Sequence, residues 1–224
     1  MRNYVTLKQA IRFPLLFVGF MWLVHIIKVF GHFDWNRYGV HPREIDGLLG
    51  IILSPLLHSS FQHLFSNSIP LFLMMTLIML FYPRVAKLSF FTIYILTGVS
   101  VWFLARSVYN THPLYHIGAS GVVYGLISFV FWSGVFRKNF RSIILSVVIV
   151  FLYSGYIAGV FPGKPGISWE SHLLGALVGI LVAFIVRNVE EEHEKADKRR
   201  ELEYEEPYEE SYFFDRDIFD RDGD

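Results

Sequence analysis

Six stretches of apolar residues, separated by shorter polar segments, occupy most of the first 187 positions of the chain. Each stretch is long enough to cross the ~30 Å hydrocarbon core of a bilayer as an α-helix. The predicted spans are Phe13–Phe30, His58–Tyr82, Leu88–Val108, Gly118–Phe136, Ile143–Phe161 and Trp169–Val186. The pattern therefore predicts an all-α polytopic membrane protein with a bundle of six transmembrane helices.

Composition supports this fold class. Hydrophobic residues make up 53% of the 224 positions, the mean hydropathy is +0.41, and 22 residues are Phe. This is too apolar for a soluble domain of this length. The chain has no cysteine, which excludes disulfides, thiol nucleophiles and cysteine-ligated metals.

Two apolar segments need separate interpretation. The run from Phe13 to Phe30 follows a short basic segment, as in a signal peptide, but no small-x-small cleavage site follows it. We therefore interpret it as an uncleaved first span. The apolar run at residues 47–57 is too short to cross a bilayer, which favours an interfacial or partly re-entrant element between spans one and two.

The net charge of zero hides an uneven distribution. Residues 1–187 carry 14 basic and 4 acidic side chains, whereas residues 188–224 carry 6 basic and 16 acidic ones. We expect two parts: a membrane domain at 1–187, and an acidic tail at 188–224 that is disordered, with an unknown partner. Short loops on the side of the termini carry eight basic residues against four on the opposite side, so both termini are expected in the cytoplasm. The eight are Arg2, Lys8, Arg12, Arg84, Lys87, Arg137, Lys138 and Arg141, and the four are Arg37, Arg43, Arg106 and Lys164.

The candidate chemistry starts at Ser120, which lies in Gly118-Ala-Ser-Gly121 at the beginning of the fourth span. A serine at a helix start is usually an N-cap, and that alternative stays open from this segment alone. Gly118, Gly121 and Gly125 are spaced to form one bare helix face that a second helix can approach closely. Tyr124, four residues after Ser120, lies on the same side.

A matching face begins the sixth span, where His172, Gly175 and Gly179 have the same spacing. Facing glycine stripes allow close backbone packing, and an ionisable group within a span is a functional candidate. In the second span His63 and Asn67 are four residues apart and point the same way. Both can also be read as interhelical hydrogen-bonding residues, and His58 is best explained as a helix-start residue that bonds to the neighbouring loop.

Depth in the membrane favours the functional interpretation. Counted from the first cytoplasmic arginine after each span, Ser120, His172 and Asn67 all lie roughly 22–26 Å above the cytoplasmic boundary, at ~1.5 Å per residue. Residues at one level can act together. Ser120 would be a nucleophile, His172 its base, and the Ser120 N–H with Asn67 and His63 would stabilise the oxyanion. Tyr124 would stack on His172. Because no acidic residue lies within a span apart from Glu170 at its edge, we expect a Ser–His dyad.

These residues resemble those of the rhomboid intramembrane serine proteases. The resemblance covers roughly residues 10–187 and rests on the motifs of spans two, four and six just described, and it is closest to the six-helix bacterial form. It implies Ser120 as nucleophile, His172 as base, and an oxyanion hole of His63, Asn67 and the Ser120 amide. It also implies a multi-pass protein of the bacterial plasma membrane, with transmembrane protein substrates, a lipid bilayer around it, no nucleic acid and no cofactor. The Trp-Arg pair often found in the first loop is absent, because Asn36 separates Trp35 from Arg37.

Two other functions remain possible from the sequence. One is a rhomboid-like protein that binds transmembrane clients without cleaving them, for which Ser120 would be dispensable. The other is a metal-dependent membrane protein with histidine ligands, although neither His-Glu-x-x-His nor a carboxylate within a span supports it. Its candidate ligands are His58, His63, His112, His116 and His172.

Overall fold

The computed structural model describes residues 5–109, 111–162 and 168–205. It confirms an all-α polytopic architecture, with one short antiparallel hairpin in which β1 (Val108–Tyr109) pairs with β2 (His112–Pro113). The helices are α1 (Leu7–Phe30), α2 (Phe61–Phe81), α3 (Ala86–Leu104), α4 (Ser120–Arg137), α5 (Phe140–Tyr153), α6 (Trp169–Ile185) and α7 (Glu192–Glu205).

Among the described residues, five helical segments are long and apolar enough to cross a membrane, the fifth being α5 together with the 3-10 turn Ser154–Val160 that follows it. The sixth predicted span, α6, has 17 residues and is shorter than the other five. At ~1.5 Å per residue a helix of this length still reaches about 25 Å, at the lower limit for a spanning helix.

Local capping explains where several helices begin. Thr6 caps α1 through a capping box with Gln9, so this helix begins at Leu7, six residues before the predicted first span. Ser60 caps α2 by accepting from the His63 N–H, so this helix starts three residues later than predicted. The apolar pattern does not locate either start, because each start depends on a hydrogen bond made by a polar capping residue.

The third span ends earlier than predicted, at Leu104 instead of Val108. The Arg43 guanidinium donates to the carbonyls of Phe103 and Ala105, which are left without helical partners where α3 ends. Val108 belongs to β1. The hairpin therefore replaces the last part of the predicted span.

The segment between α1 and α2 contains the short element expected there. Residues 45–56 form two 3-10 turns around one α-helical turn, Gly50–Leu53. Ile45 and Leu49 are exposed, whereas Gly50 is packed so tightly on Gly39 and Val40 that a side chain would overlap their backbone. One apolar face is thus exposed and the other lies on the protein, as an interfacial element requires.

The centre of the bundle is the contact between α4 and α6. A Cβ atom on Gly175 would overlap the carbonyl oxygen of Gly121, and one on Gly179 would overlap that of Gly125. The two predicted glycine faces therefore meet, except that Gly118 precedes α4 and does not belong to its face. This backbone packing puts the start of α6 beside the start of α4.

The chain divides into two compact units between Glu191 and Glu192. Where the sequence predicted a disordered tail, residues Glu192–Glu205 instead form the helix α7. Glu, Lys, Arg and Ala have high helix propensity, and Lys195 pairs with Glu192 at 3.2 Å along the helix. Residues 206–224 of the predicted tail lie outside the described residues.

Candidate active site

Ser120 is the first residue of α4, and its side chain does not cap the helix. The N-cap is Ala119, and the preceding Gly118 has a φ of +100° that only glycine adopts without strain. The Gly118 N–H donates to the Ser54 carbonyl at 2.8 Å, which ties this turn to the interfacial segment. The Ser120 hydroxyl is therefore available to another partner.

That partner is His172, in the first turn of α6. The Ser120 Oγ lies 2.9 Å from His172 Nε2, and His172 Nδ1 lies 2.9 Å from the carbonyl oxygen of Gly159. A carbonyl only accepts, so Nδ1 carries the proton and Nε2 is left to accept from the Ser120 hydroxyl. Gly159 is a site residue that sequence reasoning missed, because a backbone acceptor leaves no residue-type signal.

The ring of Tyr124 stacks on the imidazole of His172. The ring centroids are 4.2 Å apart and the planes are inclined by 10°. Both side chains are buried, at 8% exposure each. The imidazole is thus held at its face by Tyr124 and at Nδ1 by Gly159.

His63 and Asn67 lie across from this pair on α2. His63 Nδ1 is 3.2 Å from the Ser59 hydroxyl, and Asn67 Nδ2 donates to the His63 carbonyl at 3.0 Å. A Cβ atom on Gly118 would be 2.7 Å from His63 Nε2 and 3.6 Å from Asn67 Nδ2. Gly118 therefore leaves space in front of two potential N–H donors.

His58 lies behind His63 and is fully buried. Its Nδ1 is 3.3 Å from the Leu56 carbonyl, and its ring is 5.0 Å from that of His63. The buried Lys28 ammonium donates to the His58 carbonyl and to the Asn36 side chain, both at 2.6 Å. His58 thus bonds to the neighbouring loop, and Lys28 holds the chain that precedes α2.

A cavity of about 900 Å³ opens on the candidate dyad. Its wall includes Ser120 and His172, the α2 side chains His63 and Asn67, and Tyr124. On the far side of the dyad it is lined by polar and charged groups, namely Arg106, His116, Ser168 and Glu170. The Ser120 hydroxyl therefore lies in the wall of a large cavity with polar groups around it.

The polar side chains of this wall bond to one another. The Arg106 guanidinium forms an ion pair with Glu170, and the His116 Nδ1 lies 2.5 Å from the Ser168 hydroxyl. His116 is 4% exposed, and this burial lowers the pKa of its imidazole below the ordinary value of 6.5. His116 is accordingly neutral at pH 7.

The histidines do not form a metal site in the described part of the chain. Within these ranges, no three His, Asp, Glu or Cys side chains come together as a group able to hold a metal ion. His112 lies exposed in β2, and His116 bonds to Ser168 and to the Arg106 carbonyl.

Comparison with known proteins agrees with this arrangement. The rhomboid domain pattern matches residues 46–189, which include both candidate dyad residues and the two α2 side chains facing them. The chain belongs to the rhomboid family. An uncharacterized protein of Mycobacterium tuberculosis and one of Mycobacterium bovis are each 35% identical to this rhomboid over 171 residues, which is 73% of this chain and 69% of theirs. A third, from Mycobacterium leprae, is 32% identical over 73% of this chain and 66% of its own.

Family membership and the five long apolar helices make this rhomboid an integral membrane protein. The rhomboid family is a family of intramembrane proteases that also includes members without protease activity. Which of these two groups the chain belongs to depends on the chemistry that its own residues support.

Proposed function

We propose that this rhomboid is a serine endopeptidase that cleaves transmembrane segments of membrane proteins with a Ser120–His172 dyad. The observation that carries the proposal is the 2.9 Å contact between Ser120 Oγ and His172 Nε2, with His172 Nδ1 directed at the Gly159 carbonyl. A client-binding protein without catalysis has no need of a serine aligned on a histidine whose tautomer is fixed by its other nitrogen. This alignment favours catalysis.

In the first step, the Ser120 oxygen attacks the scissile carbonyl carbon while His172 Nε2 takes the hydroxyl proton. The C–N bond then breaks, and His172 returns this proton to the leaving amine, which leaves an acyl ester on Ser120. Gly159 takes the place of the usual carboxylate by holding the Nδ1 proton. A neutral acceptor stabilises the imidazolium less than a carboxylate does, so we expect slow turnover compared with triad enzymes.

The negative charge on the tetrahedral oxygen requires hydrogen-bond donors in fixed positions. Ser120 begins α4, so its N–H has no acceptor within the helix and lies at the positive end of the helix dipole. His63 Nε2 and Asn67 Nδ2 would supply two more donors beside Gly118. In the second step a water from the cavity attacks the ester carbonyl while His172 Nε2 takes its proton. The bond between the acyl carbon and Ser120 Oγ then breaks, His172 returns the proton to Ser120, and the carboxylic acid product leaves.

The site's position in the membrane determines where substrates are cut. Ser120 and His172 lie in the first turns of α4 and α6. The other end of α4 is followed by the basic loop with Lys138 and Arg141, and the other end of α6 by the C-terminal segment, both of which we expect in the cytoplasm. We therefore propose that the termini face the cytoplasm, that cleavage occurs in the outer part of the substrate's span, and that the membrane is the plasma membrane. Substrates need Gly, Pro or small polar residues near the cut, because attack requires local unwinding of the helix.

Labelling with a serine-directed fluorophosphonate tests the proposal. The wild type should be labelled with or without a chelator and should cleave a single-span substrate. Ser120→Ala should do neither, while it stays folded in the membrane. The matched control is Ser100→Ala in α3, which should behave as wild type. Cleavage by Ser120→Ala would refute the nucleophile assignment. A wild type that is neither labelled nor active would support client binding, and loss of activity on chelation would support a metal site.

The products of the same reaction test the depth argument. Mass spectrometry should place the cuts in the outer part of the substrate span, with a Gly-containing segment cut faster than a Leu-rich one. Cuts near the cytoplasmic end, or equal rates for both segments, would contradict this position of the site.

A further inference from the structure

A chain of hydrogen bonds links the segment that precedes the serine to the segment that precedes the histidine. His116 is four residues before Ser120, and Ser168 is four residues before His172. The His116 Nδ1 lies 2.5 Å from the Ser168 hydroxyl, and this hydroxyl lies 2.7 Å from that of Ser171. The two segments are therefore joined side chain to side chain, at equal distances along the chain from the two dyad residues.

The protons of this chain can be assigned from its ends. His116 Nε2 is 2.9 Å from the Arg106 carbonyl, which only accepts, so Nε2 carries the proton and Nδ1 accepts. The Ser168 hydroxyl consequently donates to Nδ1. Its oxygen accepts from the Ser171 hydroxyl and, at 3.4 Å, from the Ser171 N–H as the N-cap of α6. Every group has a partner, which is the condition under which a buried polar network is rigid.

The backbone fixes the position of His116 as well. The His116 N–H donates to the Val40 carbonyl at 2.8 Å, and the Val40 N–H donates to the His116 carbonyl at 2.9 Å. This two-way bridge connects His116 to the chain between α1 and α2, so its ring is not free to follow Ser168. A contact to a ring held in this way can position the start of α6.

The dyad needs such a contact between the segments that precede Ser120 and His172. The tightest glycine contacts between α4 and α6, Gly175 on Gly121 and Gly179 on Gly125, lie further along both helices than Ser120 and His172. A looser contact, 3.0 Å from a Cβ atom on Gly121 to the Ser171 carbonyl oxygen, lies level with the dyad. Without a contact before the dyad, the two helix starts could still tilt apart around these points. With a second contact before the dyad, both the distance and the inclination between the starts are fixed.

We propose that His116 and Ser168 are positioning residues, whose hydrogen bond holds His172 Nε2 within reach of the Ser120 hydroxyl. Neither residue touches the reacting atoms. They act by holding the starts of α4 and α6 together, at the end of the two helices where the dyad lies. This inference rests on the proposed function and adds to it the contact that aligns the nucleophile with its base.

The test measures how fast a fluorophosphonate labels Ser120, together with kcat and KM on a single-span substrate. His116→Phe keeps a ring without the acceptor, and Ser168→Ala removes one hydroxyl. Each should slow labelling and lower kcat by about tenfold, the equivalent of one neutral hydrogen bond, with little change in KM. Ser168→Thr keeps the hydroxyl and should restore both rates. His112→Phe, at the exposed histidine of β2, is the control and should behave as wild type.

The double variant separates positioning from general loss of stability. If the two residues act through one bond, His116→Phe with Ser168→Ala should be about as slow as the slower single variant. If the rate loss of the double variant equalled the product of the two single losses, the proposal would be overturned. Labelling at the wild-type rate in both folded single variants would overturn it as well. If His116→Phe does not fold, the labelling rates of Ser168→Ala and Ser168→Thr test the proposal. Equal rates in these two variants would overturn it. A failure of the proposed function looks different, because the wild type itself would then not be labelled.

Discussion

Gly175 in α6 packs directly against Gly121 in α4, so closely that a Cβ atom on Gly175 would overlap the Gly121 carbonyl oxygen. This oxygen belongs to the backbone of α4, which cannot rotate away as the end of a side chain can. A larger residue here must therefore push α6 from α4. His172 lies one turn before Gly175, so the separation would reach the dyad.

From this contact we expect Gly175→Ala to lower both thermal stability and kcat, and Gly175→Leu to do so more severely, because displaced helices lose packing over a wide area. Thermal unfolding in detergent and substrate cleavage measure the two effects. The control is Gly19→Ala in α1, where nothing lies within 4 Å of an added Cβ atom. A folded Gly175→Leu protein with full activity would contradict the close contact.

Removing the Asn67 amide should slow turnover without weakening substrate binding. Asn67→Ala is expected to lower kcat by roughly 10²–10³, the loss associated with one oxyanion donor, and to leave KM nearly unchanged. Asn67→Asp keeps the shape but replaces the donor with an acceptor, and should be at least as slow. If the loss were confined to KM, Asn67 would be a packing or binding residue instead.

The stacked ring of Tyr124 should matter more than its hydroxyl. Tyr124→Phe keeps the ring on His172 and should retain most of the activity. Tyr124→Leu removes the stacking, which is worth about 0.5–1.5 kcal/mol, and should lower kcat by up to about tenfold. Steady-state kinetics of the two variants would show this difference. Equal losses in both would indicate that the hydroxyl, and not the stacking, is the important group.

Two truncations should differ in stability although they end only four residues apart. The Arg84 N–H donates to the Glu191 carboxylate at 3.1 Å, and Arg137 donates to the Val189 carbonyl at 2.9 Å. A chain that ends after Glu191 keeps these bonds and should retain wild-type catalysis in detergent. One that ends after Arg187 loses them and should unfold at a lower temperature. Loss of activity in a stable protein ending after Glu191 would show instead that residues 192–224 regulate the enzyme.

The order of the apolar helices could be predicted from the sequence, although the sixth, α6, is shorter than the five that are long enough to cross a membrane. The hydrophobic effect requires a long apolar run for each helix in a bilayer, so the runs themselves mark the spans. The helix limits were less accurate. Thr6 and Ser60 start helices through hydrogen bonds made by polar residues, and α3 stops at Leu104 where Arg43, about sixty positions earlier in the chain, meets its last carbonyls.

The sequence alone also determined which polar side chains to expect at one cavity. Ser120, His172, His63 and Asn67 could be singled out because polar groups are costly in an apolar span, and the structure places all four around the same cavity. The glycines of α4 and α6 indicated in the same way that two helices approach each other closely.

Only the tertiary structure decided how these groups are aligned. The Gly159 carbonyl that orients His172 belongs to the backbone, and any residue type could supply it. The bond between His116 and Ser168 joins two loop residues separated by 52 positions, and neither lies in an apolar pattern. Such contacts depend on where the packed helices bring distant segments together, and a pattern along the chain carries no record of that.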